Sequence, residues 1–240
     1  LELAYNEVSY RLALKHFILK FDTETNVEES ILFFMPGLDL DAIRRGIMET
    51  EKEWSFEFAE ESFNEVLVYA SLAIYQNQQE NGRKLKFSDE ELEMLQKYNE
   101  YSFAEAIFKK LGAHFNMTLP TEEKAFLSIQ ILCSKLIDSG YSADSGEVLR
   151  EYDNKLQEFV RKIISVVSNV LNVDLTHDDA LYHGLLIHMR PTLFRLRYER
   201  GHTNGLTSYI KTEYKKTFRV AWLISVLFEE YFDLKVSEDE

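Results

Sequence analysis

Cysteine is almost missing from this chain. The single Cys133 lies in the apolar stretch Ile129–Ile137, which leaves no intramolecular disulfide and no thiolate metal cluster to build, and makes a reducing cytoplasm the expected compartment. Three prolines and nine glycines in 240 residues are too few for a sheet with many turns. Abundant Glu, Leu, Lys, Ala and Phe favour helices instead, so the expected class is all-α. No apolar run approaches the roughly 20 residues that a membrane span needs, and no charged-then-apolar signal opens the chain, so no membrane contact is expected. A Gly-x-x-x-x-Gly-Lys phosphate loop, a Gly-x-Ser-x-Gly elbow and a paired zinc motif are all lacking. An enzyme acting on a small substrate has little support, and no cofactor is expected.

Positive charge is also scarce, since the formal net charge is -14. Affinity for a phosphate backbone comes from neutralising it, so this chain is not expected to grip nucleic acid by itself. The deficit is uneven. Residues 190–219 hold eight Lys or Arg (Arg190, Arg195, Arg197, Arg200, Lys211, Lys215, Lys216, Arg219) against Glu199 and Glu213. That stretch reads either as solvated helix faces or as a positive surround for a phosphorylated group or an acidic partner.

What the chain does contain is a repeat. The segment from Val66 to Gln76 recurs from Leu185 to Arg195 at an offset of 119, which sets Leu67 on Leu186, Val68 on Ile187, Ile74 on Leu193 and Gln76 on Arg195. Tyr101, Ala104, Ile107, Leu111 and Phe115 recur as Phe218, Ala221, Ile224, Phe228 and Phe232 at an offset of 117, and Glu123 falls on Glu240. A hydrophobic content of 45% supports two cores at this length. The expected layout is an N-terminal helical extension over 1–50, a first domain over 51–140, a glycine-punctuated linker around 138–146 and a second domain over 147–240. The extension is interrupted by the breaker Met35-Pro36-Gly37. Helices are expected over 59–79, from a capping box at Ser88–Glu91 to about Lys97, over 101–115, after Pro120, over 152–171 and after Thr176. The second copy stops where its last helix should begin, so the chain reads as a fragment at both ends.

The repeat isolates one side chain. His188 stands where the first copy has Tyr69, and Arg195 stands where it has Gln76. On a helix the two differ by about 20° in azimuth and share a face with Leu181, Leu185 and Thr192, about 10.5 Å apart along the axis if it is straight. Pro191 cannot donate to the carbonyl of Ile187, so a kink is expected just past His188. A neutral imidazole is a nucleophile able to take a phosphoryl group, and a nearby guanidinium stabilises the charge that arrives. The alternative is a half-buried helix histidine with a satisfied hydrogen bond. A metal reading of His177, Asp178, Asp179, His183 and His188 is weakened by spacing, because ligands five apart lie about 140° round a helix. His16, His114 and His202 have no arrangement around them and read as core edge, core edge and loop.

The run Leu185-Leu-Ile-His188-Met-Arg-Pro191-Thr-Leu-Phe-Arg195-Leu, the loop Gly201–Leu206 and the pattern Ile210-x-x-x-Tyr214-x-x-x-Phe218 together resemble the tandem PTS regulation domains of bacterial sugar-responsive transcriptional activators and antiterminators. The resemblance implies two helical bundles with no metal and no catalytic residue. It implies that His188 accepts phosphate from the phosphocarrier HPr or a sugar-specific enzyme II B component, with Arg195 and Arg190 supporting the phosphate, and that phosphorylation alters packing in a homodimer. Domains of this family can carry a second histidine on the last helix, in a Glu-x-x-aromatic-x-x-x-His pattern. Here Tyr69 and Gln130 (in Glu123-x-x-Phe126-x-x-x-Gln130) occupy both first-domain acceptor positions, so that domain is expected to be phosphorylation-silent. Residues 1–50 look more like the multidomain activators, whose DNA-binding domain lies upstream, than like the short RNA-binding antiterminators. A degenerate dimerisation scaffold of the virulence-regulator type is the remaining alternative.

Overall fold

Four of the described helices begin behind a short oxygen-bearing side chain, Asn26, Asp39, Ser88 or Asp178, that accepts a backbone N–H of the first turn. The computed structural model describes residues 7–20, 26–79, 84–134, 136–139, 150–198 and 205–238, and it divides into two units, Leu1–Gly146 and Glu147–Glu240. The expected linker at 140–146, Glu199, Arg200, the loop residues 201–204 with His202, and Glu240 lie outside the described residues.

The first unit contains α1 (Glu7–Lys20), α2 (Val27–Phe34), α3 (Leu40–Trp54), β1 (Phe56–Phe58), α4 (Glu60–Gln78), α5 (Asp89–Leu95), α6 (Asn99–Phe115), α7 (Thr121–Leu132) and β2 (Leu136–Ser139). Asn26 caps α2, Asp39 caps α3 and Ser88 forms a complete capping box with Glu91 at the start of α5. Gly37, at φ 82°, makes the left-handed turn between α2 and α3 that the Met35-Pro36-Gly37 breaker requires. Helix α4 is the axis of the unit. Every residue from Val66 to Ile74 is buried, a pattern that needs cover on all sides, and α1, α2, α3, β1 and α7 supply it. Gly46 lets α3 approach α6 closely, since a Cβ there would lie 2.7 Å from Leu111 Cδ2. Phe56 stacks on Phe103 at 4.7 Å. The strands were not foreseen. Residues 136–139, expected to lead into the linker, pair antiparallel with β1, with Phe56 opposite Ser139.

The second unit contains α8 (Arg150–Leu171), α9 (Asp179–Arg197), α10 (Thr207–Glu213) and α11 (Lys215–Phe232). Its core joins Leu156, Phe159, Val160, Ile163 and Ile164 of α8 to Met189 and Leu193 of α9 and Phe228 of α11. Phe159 is the hub, with the rings of Phe228, Tyr231 and Phe232 within 5.3 Å.

The two units repeat one plan: α8, α9, α10 and α11 follow the order of α3, α4, α5 and α6. The caps repeat with it. Ser55 after α3 and Asn172 after α8 are both left-handed, as are Asn116 after α6 and Asp233 after α11, and these four are the non-glycine positive-φ residues among those described. Both pairs stand at the offset of 117 found in the sequence.

Candidate functional site

His188 lies exposed near the middle of α9, with the buried Met189 and Leu193 fixing the helix on its core side. One turn on, the buried Thr192 donates its hydroxyl to the His188 carbonyl at 3.0 Å. Arg195 Nη2 in turn donates to Thr192 Oγ1 at 2.8 Å. The Arg195 guanidinium is thus held on Thr192, whose hydroxyl is bonded to the backbone carbonyl of His188. The helix is continuous through Pro191. Arg190, two residues on from His188, lies about 200° round the helix, and its guanidinium sits over the buried Phe194 ring at 5.9 Å.

The residues of the metal reading do not converge. Asp178 accepts the Leu181 N–H as the N-cap of α9, and His183 Nδ1 engages the Asp179 carbonyl at 2.8 Å. No group of three or more possible ligands assembles among the described residues.

The acceptor positions of the first unit are buried. Tyr69 is 2% exposed and packs edge-on against Phe126 at 5.2 Å. Gln130 is 1% exposed and donates Nε2 to the Phe126 carbonyl, while its Oε1 has no hydrogen-bond partner. Over these residues runs α1. Arg11, 1% exposed, donates Nη1 and Nη2 to the two carboxylate oxygens of Glu123 at 2.6 and 2.9 Å, and Nε to Glu7 at 2.8 Å. Its guanidinium lies 5.8 Å from the Phe126 ring centre. Burial disfavours the Arg11 charge, but the bonds to Glu123 and Glu7 outweigh it and hold the group above its ordinary value. Asn77 adds a third hydrogen bond to Glu123, and Lys15 bridges Glu65 at 3.0 Å with its ammonium 5.6 Å from the Tyr69 ring. This clasp was missed by the sequence reading, because its partners are 112 residues apart.

Two of the other histidines differ from expectation. His16 is exposed rather than at a core edge. His114 is half exposed and binds Asp39 at 2.8 Å, tying the end of α6 to the start of α3. The Asp39 carboxyl is held below its ordinary value by the Ala42 N–H and then by His114. In the basic stretch, Lys215, Lys216 and Arg219 are exposed and Lys211 bonds Glu238. The second unit also exposes large apolar side chains: Ile187 at 70%, with Leu206, Tyr209, Tyr214, Trp222 and Val226. Among the described residues no helix is long and apolar enough to cross a membrane.

The PRD domain model matches residues 45–133 and 161–240. The chain belongs to the PRD domain family. Its two matched segments are helical apart from the three-residue β1, and each includes one member of the pair α4 and α9. The chain is 25% identical over 236 residues to the "Probable licABCH operon regulator" of Bacillus subtilis, covering 98% of this chain and 36% of that protein. It is 28% identical over 204 residues to "Transcriptional regulator ManR" of the same organism, covering 84% and 30%. It is 25% identical over 154 residues to "Capsule synthesis positive regulator AcpB" of Bacillus anthracis, covering 61% and 32%. The chain thus spans about a third of the length of these relatives. No solved structure matches it.

Proposed function

We propose that this PRD pair is a non-enzymatic regulatory region of a transcriptional regulator, switched by phosphorylation of His188. One observation carries the reading: at the matching positions of α9 and α4 the second unit has an imidazole, His188, with Thr192 and Arg195 following on the same helix, whereas the first unit has Tyr69, and Gln130 on α7, neither of which can form phosphohistidine. The imidazole lone pair attacks the phosphorus of a phosphorylated HPr or enzyme II B component. A nitrogen–phosphorus bond forms as the bond to the donor breaks, its electron pair returns to the donor, and the displaced imidazole proton passes to water. Arg195, bonded to Thr192 one turn along from His188, and Arg190 are the cations proposed to meet the new charge.

The added charge shifts contacts of the exposed second-unit surface and with them a homodimer equilibrium. A coupling of about 1–3 kcal/mol moves such an equilibrium by roughly 5- to 150-fold. The names of the relatives, operon and transcriptional regulators, support the class of protein and leave the controlled sugar open. The test is transfer of labelled phosphate from phosphorylated HPr and from enzyme II B components. Label is expected on wild type and Tyr69→Phe and absent from His188→Ala; unchanged labelling of His188→Ala would overturn the assignment. Light scattering of wild type and His188→Asp then separates a switch from a constitutive scaffold, which predicts equal association.

A further inference from the structure

Helix α11 carries its charges the wrong way round. Stabilising charge is acidic at the start of a helix and basic at its end, as α6 has Glu100 in its first turn and His114 in its last. Lys215, Lys216 and Arg219 instead crowd the start of α11, and Glu230 and Asp233 stand at its end. All five are exposed, and none makes an ion pair among the described residues. Between the two ends, Trp222 and Val226 are 54% and 40% exposed. At 100° per residue, Lys215, Arg219, Trp222, Val226, Glu230 and Asp233 fall within an arc of about 80°, opposite Ile224 and Phe228, which pack in the core. We propose that this face is a self-complementary docking surface, on which a second copy of the chain lays its own α11 antiparallel.

The first unit shows that this side of the bundle stands open. There α7 packs on α6, yet Ser102, Glu105 and Lys109, at the offset of 117 from Arg219, Trp222 and Val226, are exposed, Glu105 at 52% even while it bonds Lys124 of α7. Polar side chains at those positions suit water. A tryptophan beside a valine, rimmed by charge, is the chemistry of an interface centre. An antiparallel copy supplies the complement, because positions equidistant from residue 224 come opposite each other. Trp222 meets the partner's Val226, Lys215 comes to the partner's Asp233, and Arg219 comes within one residue of level with the partner's Glu230. The two-fold axis repeats each contact and closes the pair as a dimer over about 27 Å of helix. Each helix end then gains the charge that its dipole lacks. A contact of one helix from each copy stays below about 1,200 Å² in all, the class of weak, exchangeable interfaces. This gives the homodimer of the proposed function its surface; its use as a switch rests on that reading, and its geometry does not.

The experiment is sedimentation velocity of the full chain, from micromolar to millimolar concentration, on wild type, Arg219→Glu, Glu230→Arg, the double variant and an equal mixture of the two single variants. Wild type is expected to dimerise. Each single variant sets like charges opposite each other at both symmetry-related places, so its association is expected to weaken by roughly tenfold or more. The double variant exchanges the signs and restores association. The mixture is the sharper arm: each single variant offers the other its opposite charge at both places, so a heterodimer forms with an affinity within about threefold of wild type. A misfolded variant cannot be rescued in this way. A monomeric wild type, single variants that associate like wild type, or a mixture or double variant no tighter than the single variants would each overturn the proposal. No phosphodonor is present, so a failure here leaves the labelling of His188 standing, and a failure of labelling leaves this surface standing.

Discussion

Arg11→Met removes the guanidinium and keeps most of the aliphatic stem. Three hydrogen bonds disappear, two to Glu123 and one to Glu7, and Glu123, 4% exposed, is left with the neutral Asn77 amide as its remaining mapped donor. A buried carboxylate stripped of its cation costs about 3–5 kcal/mol. Glu123→Leu leaves Arg11 with the Glu7 carboxylate and costs less. Because each single change strands the other member of the pair and the double variant strands neither, the double variant is expected to fall short of the summed losses by about 2–3 kcal/mol. Trp54, packed edge-on against Phe103 at 5.7 Å, reports unfolding of the first unit by fluorescence. A Trp222→Phe background silences the second tryptophan, so urea titrations of the four proteins give the cycle. An Arg11→Met loss below about 1 kcal/mol, or single losses that add to within about 0.5 kcal/mol, would refute the claim that the clasp is buried and coupled.

Two further outcomes test the frame around the site. The Asp39 carboxyl is depressed below its ordinary value of 3.8, so its stabilisation is present above that value and is lost as pH falls through the lower folded one. Asp39→Asn keeps a good N-cap without the charge; its melting temperature is expected to fall less steeply than that of wild type on acidification below about pH 4, and parallel curves would count against the assignment. A Cβ on Gly112 would sit 2.5 Å from the Met117 carbonyl oxygen, which belongs to backbone and cannot swing away, whereas one on Gly184 meets nothing within 4 Å. Thermal melts should show Gly112→Ala destabilised by about 1–3 kcal/mol and Gly184→Ala stabilised by about 0.5–1 kcal/mol.

Apolar periodicity and capping chemistry carried most of the fold into view. The helix expected over 59–79 is Glu60–Gln78, the Ser88 capping box forms, and the helix signal at Thr176–Asp179 resolves into an Asp178 N-cap. Periodicity marks which side of a segment is apolar, and it is blind to charge that goes inside. Helix α1 buries Glu7 and Arg11 along with Ile18, so its pattern gave no hint of where it docks. The pairing of His114 with Asp39 spans 75 residues, and β1 has only three residues, too short for alternation to register. At the candidate site, the repeat offset was enough to single out His188. The hydroxyl of Thr192 that links it to Arg195 looked like one more helix residue until the side-chain geometry was known.

The left-handed caps have a consequence for how the two halves diverged. Ser55 to Asn116 spans the same number of residues as Asn172 to Asp233, yet α4 and α9 between them differ in register by 119 rather than 117. Two residues gained ahead of α9 were given back behind it. The caps behave as fixed posts and the intervening connections as slack, so natural length variation in either half should come in compensating pairs within a post-to-post interval.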